Sequence, residues 1–457
     1  MKKFDLIVIG AGSGLDVAAQ AALHGWKIAV VEKGPMGGTC LNRGCIPSKI
    51  LLHSADVAEI IGNSGKFGVR KEGKLNVDFR SIISRASRIV DEDARGIEKA
   101  IRMNPNYTLY KSEGKFIGRK IIKVGTEEIT SGRIVISAGT RPAVPKIEGL
   151  ENSGYLTSDE ALRLESQPRS MIIIGGGYIA AEMAHFFGAL GTEITIVESA
   201  DRLLASADAE ISRRFTAEAA RKYNVLTGFS AQRVQRKGKM VKLIALNLKT
   251  GRRKSISAES ILTAAGRVPN SDLLDASRCG LALNERGYIR TNEFLETNVY
   301  GIWAFGDIAG KYLFKHSANL EANYINQYLF SGGHKHPVDY HAMPWAVFSS
   351  PQVAGVGKTE EQLKAEGAKY AVGRYEYGRT AMGLALQEEG LVKALVERKT
   401  GKILGCFIIG PEASILIHEV VVAMKSGDGS LAAIRDAVHA HPALSEVVQR
   451  AFNAIEI

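Results

Sequence analysis

The sequence has few cysteines, no long hydrophobic run and no low-complexity tract, and each absence excludes a class of protein. Only four of its 457 residues are cysteines, too few for a secreted disulfide scaffold. No uncharged apolar run reaches the ~18 residues of a transmembrane helix, so we predict no membrane association. The N-terminus MKKFDLIVIGAG has a basic start, but its short apolar run enters a glycine turn, which is typical of a strand and not of a signal peptide. We therefore expect a cytoplasmic protein, where a close cysteine pair is catalytic or metal-binding more often than structural.

Basic residues outnumber acidic ones, with 59 Lys and Arg against 48 Asp and Glu and a formal net charge of +11. Such a surplus can attract nucleic acid. Here the basic residues are scattered in short groups such as RKEGK and GRRK, without interleaved aromatics, so we interpret them as solvated surface charge and predict no nucleic-acid partner. The chain is too long for one ordinary core and predicts about two to four domains.

Two segments share one pattern, FDLIVIGAGSGLDVAAQAALHGWKIAVVEKG and RSMIIIGGGYIAAEMAHFFGALGTEITIVESAD. Each is typical of a β-branched strand, a glycine turn, an Ala-rich helix and a second strand that ends in an acid, Glu32 or Glu198. This is the dinucleotide-binding βαβ pattern, in which glycines let the backbone approach a pyrophosphate at a helix N-terminus. A carboxylate at the end of the second strand can hold ribose hydroxyls. The sequence therefore predicts two dinucleotide sites.

The glycine turns depart from GxGxxG spacing at one position. The turn glycines are Gly10, Gly12 and Gly14 in the first unit and Gly175 and Gly177 in the second. Leu15 stands where the first unit would have its third glycine, and Gly14 is the candidate for that role in a turn one residue tighter. Ala180 at the corresponding position of the second unit is a tolerated variant.

The remaining chain predicts further strands and a separate C-terminal region. GRIVISAGTRPAVP and ESILTAAGRVPN predict strands that run into Gly/Pro turns, with domain crossings near residues 145 and 268. GIWAFGDIAG predicts another strand and turn, with Asp307 at the tip. From about residue 337, strands and the hairpin GLVKALVERKTGKILGCFIIG alternate with helices such as ASILIHEVVVAMKSG, which predicts an α+β region.

The stretch GGTCLNRGCIPSK places Cys40 and Cys45 five positions apart. In a regular helix their Cα atoms would be ~8–9 Å apart, beyond the ~7 Å limit of a disulfide, but Gly44 and Pro47 permit a distorted helix. A structural zinc site, two inert thiols and a redox dithiol are the alternatives. Zinc is disfavoured because the other cysteines are solitary, so we predict no metal site. A redox dithiol beside a flavin is favoured, because the charge of Lys49 could lower the pKa of a nearby cysteine and so increase its thiolate fraction.

The chain resembles the flavoprotein disulfide reductases along its whole length, and within them the dihydrolipoamide dehydrogenases. GGTCLNRGCIPSK resembles their redox-disulfide motif, GAGSG and GIWAFGDIAG their two FAD signatures, and GGGYIAAE their NAD signature. AVFSSPQVAGVG resembles the entry to their dimerisation domain, and HAHPALSE their C-terminal catalytic motif.

The resemblance implies an α/β fold of the glutathione reductase type, with two Rossmann-like dinucleotide-binding domains and a C-terminal α+β dimerisation domain. We expect an FAD-binding domain at residues 1–147 and an NAD-binding domain at 148–268. A central segment at 269–336 would complete the FAD domain, and an interface domain would occupy 337–457.

The resemblance also implies catalytic roles. Cys40 would be the interchange thiol that meets the substrate, and Cys45 would face the flavin as the charge-transfer thiolate. His441 would be the general acid–base, oriented by Glu446. The residues agree with this role, because an imidazole before a proline and one turn from a carboxylate suits a base, and such a base contributes about 10²–10⁴-fold. His439 is expected in a supporting role.

The implied cofactors are FAD and NAD. Lys49 would pair with Glu182 near the flavin and the nicotinamide, and Asp307 would hold the ribityl chain. The implied FAD-binding residues are Gly10, Gly12, Gly14, Glu32, Lys33, Gly38, Thr39, Lys49, Gly139, Gly306 and Asp307. The implied NAD-binding residues are Gly175, Gly177, Tyr178, Glu182, Glu198 and Gly266.

The implied activity is oxidation of dihydrolipoyl groups with reduction of NAD+, in a homodimer served by a lipoyl-bearing acyltransferase of a 2-oxoacid dehydrogenase complex or by a glycine cleavage carrier protein. Glu198 would repel the 2′-phosphate of NADPH, which favours NAD. Tyr178 in GGGYIA, however, is more similar to the glutathione reductase motif than to that of most dihydrolipoamide dehydrogenases. Mercuric reductases end in a cysteine pair, and this chain ends NAIEI. A glutathione reductase-like or mercuric reductase-like enzyme stays an alternative, and so does a basic flavin-binding docking module with vestigial catalysis.

Overall fold

A computed structural model describes residues 1–70, 72–73, 75–332 and 335–456. Its helices are α1 Gly14–Leu23, α2 Gly38–Arg43, α3 Cys45–Asn63, α4 Phe79–Met103, α5 Ser158–Ala161, α6 Tyr178–Ala189, α7 Ala209–Lys222, α8 Lys315–Phe330, α9 Glu360–Ala365, α10 Ala381–Leu386, α11 Ala413–Lys425, α12 Ala432–Arg435 and α13 Glu446–Asn453. Its strands are β1 Lys2–Phe4, β2 Leu6–Ile9, β3 Ile28–Val31, β4 Tyr107–Tyr110, β5 Gly114–Gly118, β6 Ile121–Val124, β7 Glu127–Ser131, β8 Ile134–Ile136, β9 Thr140–Pro142, β10 Ser170–Ile174, β11 Glu193–Glu198, β12 Asn224–Thr227, β13 Phe229–Lys237, β14 Met240–Asn247, β15 Arg253–Ala258, β16 Ser260–Thr263, β17 Arg267–Pro269, β18 Ile302–Ala304, β19 Pro344–Val347, β20 Val353–Gly357, β21 Tyr370–Glu376, β22 Leu391–Glu397 and β23 Ile403–Ile409.

The chain divides into two units. The first contains Met1–Ile50, Ser81–Ala143 and Gly266–Tyr340, and the second contains Leu51–Arg80, Val144–Ala265 and His341–Ile457. The four-domain division expected from the sequence stays a prediction.

A five-stranded parallel sheet organises the first unit, in the order β18-β8-β2-β3-β4. Its central strands β2 and β3 are rich in β-branched residues and buried, as expected for a parallel sheet covered on both faces. Side chains alternate between the faces: Leu6 and Val8 pack in a cluster with Val17 of α1, and Ile7 and Ile9 face the opposite cluster.

Two smaller sheets complete the first unit. Strands β1, β7, β6 and β5 form one of them. The other pairs β9 with β17 in antiparallel register, with Thr140 opposite Pro269. These two strands come from the segments where the sequence predicts crossings, and the unit boundaries fall at Ala143–Val144 and Ala265–Gly266.

The second unit contains the other glycine turn. Strands β12, β11, β10 and β16 form a parallel sheet, and β13, β14 and β15 form an antiparallel one. The βαβ unit predicted from RSMIIIGGGYIAAE is therefore present as β10, α6 and β11. The alternating side chains Ile172 and Ile174 pack in a cluster with Val241 and Leu243 of β14.

The C-terminal region is an antiparallel sheet of the order β19-β20-β23-β22-β21. It carries the predicted hairpin as β22 and β23, and buried residues of α11 and α13 cover it. The predicted α/β fold with an α+β region at its C-terminal end is confirmed. Among the described residues, no helix has the length and apolar character that crossing a membrane requires.

Candidate active site

The cysteine pair lies at a break between two helices. Cys40 lies in α2, Cys45 begins α3, and Gly44 between them has φ −142° and ψ −119°. A Cβ atom at Gly44 would lie 2.9 Å from the carbonyl oxygen of Thr39, so the break requires a residue without a side chain. Both cysteines are free thiols, Cys40 partly buried and Cys45 exposed. Their mutual hydrogen bond, followed by burial, raises the pKa of Cys40.

The start of α2 is joined to the first glycine turn. The Gly37 N–H donates to the Ala11 carbonyl at 2.9 Å. A Cβ atom on Gly38 would lie 2.6 Å from the Cα atom of Gly12, so the two backbones approach as closely as glycine allows. The cysteine pair is therefore held beside the turn that the sequence assigns to a pyrophosphate.

The first glycine turn is shaped by close contact with β8 and β2. Gly10 has φ +96°, and its Cβ would lie 2.5 Å from the Ser137 carbonyl oxygen. A Cβ on Gly14 would meet the Ser137 hydroxyl and would lie 2.7 Å from Val8 Cγ1. Gly14 therefore gives the close helix–strand packing for which GxGxxG uses its third glycine, and Leu15 packs at the edge of the core.

A pocket opens at the carboxyl ends of β2 and β3, and Gly10, Glu32, Lys33 and Leu274 are among its lining residues. The Glu32 carboxylate accepts hydrogen bonds from the backbone N–H groups of Ala11 at 2.9 Å and of Gly34 at 2.7 Å. It therefore fixes the glycine turn and lines the pocket. The ammonium group of Lys33 lies 3.1 Å from a Glu113 carboxylate oxygen.

Asp307 lies in the turn after β18 and is held by two residues of the crossing strands. Thr140 Oγ1 donates to its carboxylate at 2.8 Å. Arg267 donates to that hydroxyl at 2.7 Å and lies 3.9 Å from the same carboxylate. Burial raises the pKa of Asp307, while the Thr140 hydrogen bond and the Arg267 charge oppose the rise. The carboxylate is thus fixed in a partly buried position.

The second glycine turn is built in the same way around Glu198. Gly175 has φ +112°, and a Cβ on Gly176 would lie 2.8 Å from Glu198 Cγ. One Glu198 oxygen accepts from the backbone N–H of Ala200 at 2.6 Å and from the Ser199 hydroxyl at 2.9 Å. The negative charge is therefore fixed at the end of β11, beside the turn.

The C-terminal histidines each face a carboxylate. His441 Nδ1 lies 3.1 Å and 3.2 Å from the two Glu446 oxygens, and its ring is 70% exposed while the Glu446 side chain is 10% exposed. This hydrogen bond lowers the pKa of Glu446. His439 Nε2 lies 3.0 Å from a Glu419 oxygen in a mostly buried position. His441 is therefore oriented through Nδ1, with Nε2 directed away from Glu446.

Two family models match the chain. The model of the pyridine nucleotide-disulphide oxidoreductases matches residues 4–324, and the model of their dimerisation domain matches residues 343–452. The chain belongs to the pyridine nucleotide-disulphide oxidoreductases. It is 36% identical to the mycothione reductase of Mycobacterium tuberculosis over 99% of both chains. It is 36% identical to the mitochondrial dihydrolipoyl dehydrogenase 2 of Arabidopsis thaliana, covering 98% of this chain and 89% of the relative.

A bacterial dihydrolipoyl dehydrogenase and a solved flavoprotein structure are also similar to this chain. The dihydrolipoyl dehydrogenase of Cupriavidus necator is 33% identical over 100% of this chain and 98% of its own. The Cu(II) complex of the HOCl-induced flavoprotein disulfide reductase RclA from Escherichia coli superposes with a TM-score of 0.88 at 27% identity, covering 99% of each chain.

As a pyridine nucleotide-disulphide oxidoreductase, the protein is a flavoprotein that uses FAD and a pyridine nucleotide. The first glycine turn fits the FAD pyrophosphate, because it leads directly into the N-terminus of α1, where the Ser13 side chain makes no capping hydrogen bond to the helix N–H groups. The binding of the ribityl chain by Asp307 stays a prediction. No cluster of His, Cys, Asp or Glu able to hold a metal ion occurs among the residues that the structure describes.

The predicted site residues fall in both units. Glu182 is 6% exposed and accepts a hydrogen bond from the Phe348 N–H at 3.1 Å, within the second unit. Its predicted pairing with Lys49 stays a prediction. The first unit contains Gly10, Gly12, Gly14, Glu32, Lys33, Gly38, Thr39, Cys40, Cys45, Lys49, Gly139, Gly266, Gly306 and Asp307, and the second contains Gly175, Gly177, Tyr178, Glu182, Glu198, His439, His441 and Glu446.

Sequence reasoning missed three residues that fix these groups. Thr140 and Arg267 hold Asp307, and the similar strings AGTRP and AGRVP at the two crossings were the available signal. Asn42 is buried and donates to the Met36 and Gly38 carbonyls at 2.8 Å and 2.9 Å, which ties α2 to the loop before it. An asparagine between two cysteines gives no such indication in the sequence.

Proposed function

We propose that the protein oxidises dihydrolipoyl groups and passes the two electrons through Cys40 and Cys45 to bound FAD and then to NAD+. The observation that carries the proposal is the contact of the two thiols across the Gly44 break, joined to the first glycine turn. Full-length relatives named dihydrolipoyl dehydrogenase support the choice of substrate.

The thiol chemistry follows from the two cysteines. In the oxidised pair, a substrate thiolate attacks Cys40 and breaks its bond to Cys45. The second substrate thiol then attacks the mixed disulfide, which releases a cyclic disulfide and leaves both cysteines reduced. FAD, when bound, supplies the two-electron transfer to the nicotinamide.

Protons are handled by the histidine in this proposal. Because His441 Nδ1 faces the Glu446 carboxylate, Nε2 is the atom that takes the proton from the attacking thiol. The proposed active unit is a homodimer in which His441 of one subunit serves the cysteine pair of the other. A lipoyl-bearing acyltransferase of a 2-oxoacid dehydrogenase complex, or a glycine cleavage carrier protein, would deliver the substrate. The cytoplasmic location stays a prediction.

A second candidate is reduction of a low-molecular-weight disulfide by NADPH. It is favoured by the 36% identity to mycothione reductase over 99% of both chains. The position of Glu198 argues for NAD, because a carboxylate at the strand end disfavours a 2′-phosphate.

Steady-state assays distinguish the candidates. Dihydrolipoamide with NAD+ or NADP+, and the disulfides of lipoamide, glutathione and mycothiol with NADH or NADPH, are compared by kcat/KM, with mercuric and cupric ions as further acceptors. We expect the kcat/KM for dihydrolipoamide with NAD+ to exceed that of every other substrate and nicotinamide pair by at least about tenfold, which corresponds to ~1.4 kcal/mol. A higher kcat/KM for mycothiol disulfide with NADPH would replace this assignment by the second candidate. FAD binding without dithiol-dependent NAD+ reduction would favour a docking module.

A further inference from the structure

Lys315 stands in a position that a helix disfavours. It is the first residue of α8, a helix that continues to Phe330. Unpaired N–H groups give this end of a helix a positive potential, which disfavours a cation there. A lysine at such a position requires compensation from elsewhere, and local rules are often broken at functional sites.

Among the residues that the structure describes, the contacts of Lys315 supply little compensating charge. Its ammonium group donates to the Ser13 hydroxyl at 2.7 Å, which is neutral. The Asp16 carboxylate is 4.0 Å away and 52% exposed, so water screens it. Ser13 is buried and also donates to the Asn319 side chain at 3.2 Å. The ammonium group is thus anchored at the first glycine turn.

The same turn is joined to the helix of the redox pair. Ser13 directly follows Gly12, and Gly12 meets Gly38 in the close backbone approach described above. Cys40 is two residues beyond Gly38 on α2. Lys315 and Cys40 are therefore both joined to this backbone contact, Lys315 through Ser13 and Cys40 through α2. Consistent with this, the positive charge of Lys315 acts to lower the pKa of Cys40, against the hydrogen bond from Cys45 and burial, which raise it.

We propose that Lys315 is a positioning residue of the redox pair, whose ammonium group stabilises the thiolate formed when the Cys40–Cys45 disulfide is reduced. The proposal rests on the redox role given above for the two cysteines. Lys315 follows Asp307 by eight positions in the same segment.

The balance of the step shows where the charge acts. A dithiol gives up two electrons and two protons and becomes a cyclic disulfide. The cysteine disulfide accepts the two electrons and one proton, which yields one thiol and one thiolate, and the second proton leaves. A fixed cation favours the products, so it increases the thiolate fraction and raises the reduction potential of the pair.

The test compares Lys315→Met, Lys315→Gln and Lys315→Arg in the FAD-loaded protein. Each is reduced with dithiothreitol, and the rate of iodoacetamide alkylation of Cys40 is followed against pH, with the site identified by mass spectrometry. We expect the apparent pKa of the dithiol to rise by about one unit in the Met and Gln variants, a tenfold loss of thiolate at lower pH. Their reduction potential should fall by up to about 30 mV, and Lys315→Arg should match wild type.

Lys335→Met is the matched control, because Lys335 lies in the same unit but pairs with Glu296 at 2.7 Å. It removes the same net charge and should leave the alkylation profile unchanged. Superimposable profiles for wild type, Lys315→Met and Lys315→Gln would overturn the proposal. So would an unchanged profile with FAD affinity weakened about tenfold, which would assign the charge to the cofactor's phosphates.

The same measurements separate this inference from the proposed function. Wild-type Cys40 and Cys45 that dihydrolipoamide cannot reduce would refute the proposed substrate. Dithiothreitol still forms the dithiol in that case, so the effect of Lys315 on the thiolate is measured independently.

Discussion

Cys45 is the residue whose ionisation should be visible directly. We predict that the purified protein is yellow and binds FAD without a covalent linkage. Its partial reduction should give a long-wavelength charge-transfer band from the Cys45 thiolate to the flavin. Cys45→Ser removes the thiolate and should abolish the band. Cys406→Ser is the control, because Cys406 is fully buried in β23, and it should leave the band in place. Survival of the band in Cys45→Ser, measured by stopped-flow absorbance, would count against the assignment.

Glu198 should decide the choice of nicotinamide. Its carboxylate is fixed by the Ala200 N–H and the Ser199 hydroxyl at the end of β11. Glu198→Arg should shift the kcat/KM ratio toward NADP(H) by at least about tenfold, since a guanidinium group attracts the 2′-phosphate. Glu193→Arg, at the exposed start of the same strand, makes the same charge change away from the turn. Equal cofactor ratios in Glu198→Arg and wild type would contradict the role.

At the scale of elements, α1 depends on a glycine that standard motif spacing does not require. A Cβ at Gly14 would meet Ser137 and Val8, so Gly14→Ala should lower the free energy of unfolding by about 1–3 kcal/mol and weaken FAD retention. Gly96→Ala is the control, because nothing lies within 4 Å of its Cβ position in α4. It should stabilise by about 0.5–1 kcal/mol. Equal unfolding temperatures for the two variants, measured by calorimetry, would refute this account.

A buried ion cluster links β22 to the start of α7 and to α9. Lys393 is 1% exposed and contacts Asp208 at 2.9 Å and Glu360 at 2.7 Å. Lys393→Met would leave these carboxylates without their buried cation and should cost about 3–5 kcal/mol. Burial acts to raise the pKa of Glu360, but hydrogen bonds led by that from Lys393 outweigh it and lower this pKa to about 2.

The pH dependence of this cluster has a definite sign. Because the pKa of Glu360 is lowered in the folded state, its contribution to the free energy of unfolding is complete above pH 4.5. That contribution is lost as the pH falls toward about 2. Thermal unfolding should therefore show Glu360→Gln less stable than wild type at pH 7, with the difference shrinking across that interval. Glu366→Gln removes an exposed pair with Lys358 and should change stability by less than ~1 kcal/mol at every pH. A constant difference for Glu360→Gln would contradict the assignment.

The predictable parts of the molecule are those with local causes. The two βαβ units follow from strand and helix periods around glycine turns, and the hairpin of β22 and β23 follows from two apolar runs around a short turn. The contacts that fix the site join distant residues. Thr140 and Asp307 are 167 positions apart, and Ser13 and Lys315 are 302 positions apart. Topology decides which of these meet, and no local pattern encodes it.

At the scale of the whole molecule, the location of His441 determines what an active unit must be. The match to a dimerisation domain over residues 343–452 includes His441 and Glu446. The His441 side chain is 70% exposed, so a second chain can reach it. We therefore predict a two-fold dimer with two identical shared sites.

This prediction is tested by complementation between two inactive chains. Cys45→Ser and His441→Gln chains, carrying different tags, are coexpressed and the mixed dimer is isolated; each parent homodimer should be nearly inactive. If sites are shared, one site of the mixed dimer combines both lesions, and the other joins an intact cysteine pair to an intact His441. Activity should then recover to about half of wild type per dimer, because one of its two equivalent sites is complete. If each chain builds its own site, every site keeps one lesion, and a mixed dimer as inactive as its parents would refute sharing.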